Sequence, residues 1–365
     1  MKDSSSLILI GVGGSGCAAV RAIARNYGGD LRARLVDTDA GTPTDGLPFT
    51  LIGGSRLSGQ GAGGAATKAR AAFQDDPAIL DASLEGARVA IVVTCLGGGT
   101  GGGATPEILK RLRAKGVTTL VFATKPFPFE GEARINRANS DAGLVAQEAD
   151  VSCILALDDI ARDSCADPTM ANALRTASST LAKGITLFWR LLEKPGYIRF
   201  DAERLKRILS GAGRARFAAV TASGEGRAGE ILSRIDSAAT LQQATRPRIT
   251  TIFLGLLAGD DLRLSEIARI TQGLAERYGA DATIELGTVN DEAEFSGTLS
   301  LVTLLFEEGS SSQAQSRNRQ GRLGRSAGEQ ALGVDDRFRN TDATMLGDTN
   351  LDIPTYYRLN LTLDR

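Results

Sequence analysis

From Leu7 to Leu157 short apolar runs alternate with amphipathic segments. The runs are Leu7–Ile10, Ala33–Val36, Val89–Thr94, Thr118–Ala123 and Ser152–Leu157, and segments such as Glu107–Lys115 between them carry apolar residues at helical spacing. Runs of this length separated by helices predict a parallel sheet of βαβ units, an α/β nucleotide-binding fold. After Met170 the pattern stays helical to Lys194, interrupted only by Gly184, and Pro195-Gly196 is a strong stop. At about 25 residues this exceeds an ordinary globular helix and predicts a central spine. Strand-like runs then recur at Phe217–Thr221, Thr250–Leu256, Thr283–Leu286 and Thr298–Phe306, separated by helical patterns at Arg227–Ser237 and Leu264–Tyr278. They predict a smaller α+β C-terminal domain.

The chain thus divides into a nucleotide-binding domain (1–169), a connecting helix (170–194), the α+β domain (195–307), a linker (308–350) and a terminal peptide (351–365). The linker is rich in Ser, Gln, Arg, Gly and Asp and too poor in large apolar residues to fold, so it predicts a flexible tether. Apolar and aromatic residues return from Leu351 to Tyr357, which reads as a docking segment at the end of that tether.

Composition narrows the chemistry. With 42 basic and 43 acidic residues the charges nearly cancel, so nucleic-acid binding by counterion release and electrostatic attachment to membranes lose their usual signal. The absence of histidine removes histidine general bases, Ser-His-Asp systems and imidazole zinc sites, leaving carboxylates, backbone dipoles and metal-bound water. Cys17, Cys95, Cys153 and Cys165 are too few and too scattered for a disulfide framework and read as reduced thiols of a cytoplasmic protein. The run Leu7–Ile10 stops at Gly11, far short of a signal-peptide core or a membrane span.

Glycine is in excess, 43 of 365 residues, and 14 of them fall in three loops. The first, Gly11 to Gly16, follows a strand and opens a helix, where amides and the helix dipole favour phosphate. It also fits a dinucleotide fingerprint, with Asp37 and Asp39 where a ribose-binding acid would sit, so alone it leaves a dinucleotide oxidoreductase and a ligand-free turn open. The second loop is Gly59 to Gly64, just before another helical pattern. The third, Gly97 to Gly103, lies between the strand ending at Thr94 and a helix expected to begin near Pro106. Each glycine costs about 0.5–1 kcal/mol relative to alanine, and six in seven positions exceed what a turn requires. The run therefore predicts backbone wrapped around an anion. No Lys-Ser/Thr follows, so it is not a Walker A loop, and three such loops at successive strand ends fit a nucleoside triphosphate better than a dinucleotide.

The stretch from Leu96 to Pro106 resembles the tubulin/FtsZ signature loop GGGTG(S/T)G, with Gly102 where that family usually has Ser or Thr. Thr124 to Gly131 is similar to the family's TKPFxFEG, Leu57 to Gly64 to its third loop, Ala156 to Ile160 to IPND(K)L, and Pro195 to Asp201 to the PGLINxD synergy loop. Gly255 to Glu266, Ile284 to Glu292 and Leu351 to Arg358 resemble its LxNITGGxDLSLxE, IIFGAVIDE and DIPxFLR segments. The resemblance spans about Leu7 to Phe306 plus the tail. It implies a parallel-sheet GTPase domain of the tubulin/FtsZ type in a cytoplasmic, filament-forming protein of bacterial cell division, acting at the division site with GTP or GDP and Mg2+. Phosphate contacts carry over to Gly13, Gly14, Ala62, Gly63, Gly64, Gly97, Gly98, Gly99, Thr100, Gly101, Gly102 and Gly103, and ribose contacts to Glu130 and Arg134. In such a filament the synergy loop of the next subunit completes the hydrolytic site, which implies catalytic roles for Asp201 and Glu203. The implied partners are further copies of the chain, head to tail, and a membrane adaptor reached through Leu351–Arg358, with neither nucleic acid nor direct membrane insertion involved.

Several positions depart from the resemblance. Ala18 stands where the family has an asparagine after the first loop, Ser178 takes the place of the base-reading aspartate, and Leu174 that of the aromatic stacked on the base. Loss of a carboxylate that reads guanine predicts weak base selectivity. The family's NxDxxD reads Arg199, Phe200, Asp201, Ala202, Glu203, Arg204, so the second acid has become an arginine that cannot serve as a base. Arg204 fits instead a guanidinium reaching phosphate across the junction. These changes predict slow hydrolysis and keep open an alternative, a non-hydrolysing structural homologue with weak or no nucleotide binding.

Overall fold

The structure is a computed structural model and describes residues 6–162, 169–194, 196–210, 213–238, 240–241 and 248–308, with the backbone of 345–346 and 349–350. β1 (Leu7–Val12) is buried along its whole length and passes without a linker into α1 (Gly13–Tyr27). β2 (Ala33–Asp37) and a short edge strand, β3 (Phe49–Leu51), follow. α2 (Gly54–Leu57), α3 (Ala66–Gln74) and α4 (Asp81–Leu84) then lead to β4 (Val89–Cys95). Next come α5 (Thr100–Ala114), β5 (Thr118–Lys125), α6 (Glu132–Glu148), β6 (Val151–Ala156) and α7 (Leu157–Arg162). The spine is α8 (Met170–Glu193), whose 24 residues span about 36 Å and whose N-terminus is capped by the Thr169 hydroxyl, accepting the Asn172 N–H at 3.4 Å.

Beyond the spine lie α9 (Ala202–Leu209), β7 (Gly213–Ser223), α10 (Arg227–Ser237), β8 (Ile249–Ala258), α11 (Leu264–Tyr278), β9 (Thr283–Asn290), α12 (Glu292–Phe295) and β10 (Thr298–Glu307). Residues up to Ser316 make one compact unit, and Arg317–Arg365 make a second, of which β11 (Met345–Leu346) and β12 (Thr349–Asn350) are described as an antiparallel pair. Cys165, Pro195, most of the 308–350 tether and the whole 351–365 peptide lie outside the described residues.

A single sheet of ten strands runs through the first unit in the order β3-β2-β1-β4-β5-β6-β7-β10-β8-β9. The strands from β3 to β7 are mutually parallel, and β10 is antiparallel to both β7 and β8. The boundary expected around the spine is therefore no break in the sheet, because Val151 pairs with Gly213 and Ser152 with Arg214 across it. α8 lies against both parts. Gly184 permits this approach, since a Cβ there would stand 3.0 Å from the Phe217 ring. Around it Phe122 and Phe217 meet edge to face at 4.8 Å, Phe188 and Phe253 at 5.4 Å, and Phe200 and Phe253 at 4.7 Å. Edge-to-face pairs add about 0.5–1.5 kcal/mol each beyond the area they bury.

One expected boundary is corrected. The helix after the third loop starts at Thr100, not near Pro106, which lies inside it. Packing overrides the poor helix propensity of the glycines. A Cβ on Gly101 would run into the Cys95 carbonyl, one on Gly102 into the Asp141 carboxylate, and one on Gly103 into the Ala66 carbonyl. Three of the six glycines thus have a packing reason of their own, as residues of a helix pressed against its neighbours.

Candidate functional site

The strands deliver their C-terminal ends to one edge of the sheet, with Val12 in register with Val36 and with Thr94. Ligands of open α/β sheets bind at this edge. Here the three loops meet. A Cβ on Gly13, whose φ of +73° requires glycine, would lie 3.0 Å from the Gly101 amide, and one on Gly99 would lie 2.9 Å from the Ala62 methyl. Between them opens a cleft of about 280 Å³.

Of the residues expected to hold phosphate, Gly13, Gly14, Ala62, Gly63, Gly64, Gly98, Gly99, Thr100 and Gly101 line this cleft, and Arg134 borders it. No side chain caps the N-terminus of α1, so its first amides face the cleft uncapped. The Thr38 and Thr100 hydroxyls bond each other at 2.7 Å, tying the end of β2 to the start of α5. The buried Asp37 fixes the same corner, accepting the Thr38 N–H at 2.8 Å and the Thr42 hydroxyl at 2.7 Å. Asp37, Thr38, Asp39 and Thr42 all line the cleft, as do Ser15 and Cys95. Burial pushes the Cys95 thiol above its ordinary pKa.

The remaining expected contacts sit elsewhere. Gly97, Gly102 and Gly103 lie behind the loop, packed on α6 and α3. Glu130 accepts the Phe127 N–H at 2.8 Å and pairs with Arg134 at 2.7 Å, so it orients Arg134 from outside the cleft. Ser178 and Leu174 are exposed on α8 and do not border the cleft.

Asp201 and Glu203 occupy the opposite edge of the sheet. Asp201 caps α9, its Oδ1 accepting the Arg204 N–H at 2.9 Å. Glu203 pairs at 2.6 Å with Arg88, the residue that precedes β4, while Cys95 at the far end of β4 lines the cleft. Six residue steps of strand separate Val89 from Cys95, about 20 Å, so these acids and the cleft of the same chain stand apart. Arg204 is held within its own subunit, donating to the Glu285 Oε2 at 2.8 and 2.6 Å and lying 5.2 Å from the Phe200 ring centroid. Among the described residues no group of three or more Cys, Asp or Glu could hold a metal, and no helix is long and apolar enough to cross a membrane.

Comparison with known proteins agrees with this geometry. The model of the Tubulin/FtsZ family, GTPase domain, matches residues 6–162. The chain is 29% identical to the cell division protein FtsZ of Pseudomonas aeruginosa over 293 residues, which is 80% of this chain and 74% of that one. It is 28% identical to cell division protein FtsZ 2 of Rhizobium meliloti over 289 residues, 79% and 84% of the two chains. In fold it is similar to an FtsZ dimer from M. jannaschii, with a TM-score of 0.76 at 22% identity over 84% of this chain and 89% of the other. It is also similar to a GTPγS-bound protofilament of CetZ2 from Haloferax volcanii, with a TM-score of 0.70 at 22% identity over 87% and 97%. The loops, the order of strands and these relatives agree: residues 6–162 match the GTPase domain of the Tubulin/FtsZ family, and the chain is similar to FtsZ proteins over about four fifths of its length.

Proposed function

We propose that the chain is a cytoskeletal GTPase of bacterial cell division that binds GTP in the cleft, assembles head to tail and hydrolyses GTP at the junction between subunits. The observation that carries this reading is the convergence of three glycine loops on one cleft, with glycine at places where the fold has no need of it. A Cβ on Gly98 would meet nothing within 4 Å, and Gly98 has no left-handed φ. Its missing side chain makes room for a ligand. The amides of Gly14, Gly98 and Gly99 and the N-terminus of α1 hold phosphate oxygens, and Arg134 and Thr42 flank the rest of the nucleotide. Asp37 and Asp39 fit a Mg2+ held by one or two carboxylates, phosphate oxygens and water, which supplies charge neutralisation when bound. Asp201 and Glu203, on the opposite edge, are what a neighbouring subunit presents to this cleft to orient water.

Gly98→Ala tests the reading. It is expected to leave the melting temperature unchanged while weakening GTP binding by about tenfold, an effect of about 1.4 kcal/mol; unchanged affinity in a calorimetric titration would sink it.

The slower or non-hydrolysing alternative has its own support. Asp201, Glu203 and Arg204 are each engaged inside their own subunit, and one of them must change partners to act across a junction. Phosphate release from pelleted polymer separates the two readings. The adaptor role falls to 351–358, outside the described residues. Deleting 351–365 is expected to leave GTP-dependent pelleting intact and abolish gathering of a fluorescent fusion at the division site; loss of pelleting would overturn the docking role.

A further inference from the structure

Arg134, Ala138 and Asp141 form a stripe on one face of α6, at the i, i+4, i+7 spacing of a helix, and this stripe backs the third glycine loop. A Cβ on Gly97 would stand 2.5 Å from the Arg134 carbonyl oxygen and 3.1 Å from the Ala138 methyl. Asp141 ends the stripe. It is buried, and its Oδ2 accepts the Gly97 N–H at 2.9 Å. The same oxygen fills the space where a side chain at Gly102 would begin. At Gly101 and Gly103 the nearest obstacle is backbone, so Gly102 alone of the three yields its place to a side chain. That side chain arrives from another helix and brings a charge.

A buried carboxylate must be paired or hydrogen-bonded to stay. Here the Gly97 amide supplies the bond, and Arg137 on α6 and Arg70 on α3 supply balancing charge, Arg137 also approaching the Gly97 carbonyl at 3.5 Å. Burial outweighs these and holds the Asp141 carboxyl above the ordinary aspartate range. With the Gly97 amide already engaged, Gly98 and Gly99 are the first residues of the loop to line the cleft.

We propose that Asp141 is a positioning residue for nucleotide binding. Its carboxylate occupies the space left by Gly102 and anchors Gly97, which sets the direction of the amides that follow. The proposal rests on the nucleotide-binding reading above.

The test titrates GTP into the full-length protein and its variants by calorimetry and records each melting temperature. Asp141→Ala is expected to weaken binding by about tenfold or more, the effect of leaving a buried amide without its partner. Asp141→Asn keeps a carbonyl oxygen for the Gly97 N–H and is expected to bind within about threefold of the native chain. Asp141→Ala combined with Gly102→Ser returns an oxygen from the α5 side and is expected to recover most of the loss, whereas Gly102→Ser alone collides with Asp141 and weakens binding. A purely structural role would make affinity follow melting temperature with no rescue by Gly102→Ser. If Asp141→Ala does not fold, Asp141→Asn and the double variant decide: binding by both within about threefold supports the proposal, and a loss of about tenfold in either overturns it. Binding by folded Asp141→Ala at native affinity also overturns it. A native chain that takes up no GTP overturns the nucleotide reading itself.

Discussion

Asp201→Ser is expected to lower GTP turnover by about 100-fold or more while leaving the melting temperature where it was. The separation is possible because Asp201 has two jobs in the proposed filament. Its Oδ1 caps α9 through the Arg204 N–H at 2.9 Å, and serine caps a helix about as well as aspartate. Serine has no carboxylate, so whatever the acid contributes to orienting water is lost, and a positioned acid or base is worth about 100-fold or more. If Asp201 were only a cap, Asp201→Ser would turn over normally, and Asp201→Ala would cost about 1 kcal/mol of stability with no further effect. A mixing experiment then asks whether the acid acts across a junction. Gly98→Asp places a negative charge in the cleft at a position with open space, which blocks phosphate without strain. Mixed with Asp201→Ser, it supplies the acid that its partner lacks, and turnover should return. Two inactive proteins that stay inactive when mixed would rule out a shared site.

Gly103→Ala is expected to destabilise the fold by about 3 kcal/mol, the upper part of the ordinary range for overpacking. Its Cβ would run into the Ala66 carbonyl and stand 2.8 Å from the Ala66 Cα. Both neighbours are backbone, so α3 must move away from α5. Thermal unfolding followed by circular dichroism should show a fall of several degrees, against no change for Gly98→Ala. A native melting temperature for Gly103→Ala would return this glycine to the nucleotide and remove the packing explanation for the helical start at Thr100.

That pair of glycines shows what could be read from the sequence. The run from Gly97 to Gly103 announces an unusual demand on backbone, but not that Gly98 answers to the cleft while Gly103 answers to α3, because packing partners far along the chain leave no local mark. For the same reason the start of α5 leaves no local mark: glycine propensity speaks for a loop, and three tight contacts overrule it. The buried strands β1, β4 and β5 were legible because both faces are covered and the runs are continuously apolar. β3 was not, being three residues at the sheet edge. The joining of the two parts into one sheet depends on Gly213 and Arg214 meeting Val151 and Ser152 some sixty residues away, which periodicity does not report. In the site, the glycine loops, Ser15 among them, carry a signature, while Thr38, Thr42 and Cys95 do not, since a single hydroxyl or thiol near a strand end is common everywhere. Asp37 and Asp39, which the sequence marks only as candidate ribose acids of a dinucleotide fold, line the cleft at and just beyond the end of β2. Ser178 and Leu174, expected beside the base, are exposed on α8 and do not line the cleft.

β4 carries Arg88 and its acid at one end and the cleft at the other, and it is hydrogen-bonded in register to β1 over six residue pairs and to β5 over seven. In a filament of the proposed kind, tension entering a subunit at the acid leaves it at the cleft along a strand sheared between two neighbours. Loading of that sort is resisted by many backbone bonds at once, whereas each junction is held by side chains and a nucleotide. A pulled filament should therefore part between subunits and release them folded, ready to reassemble.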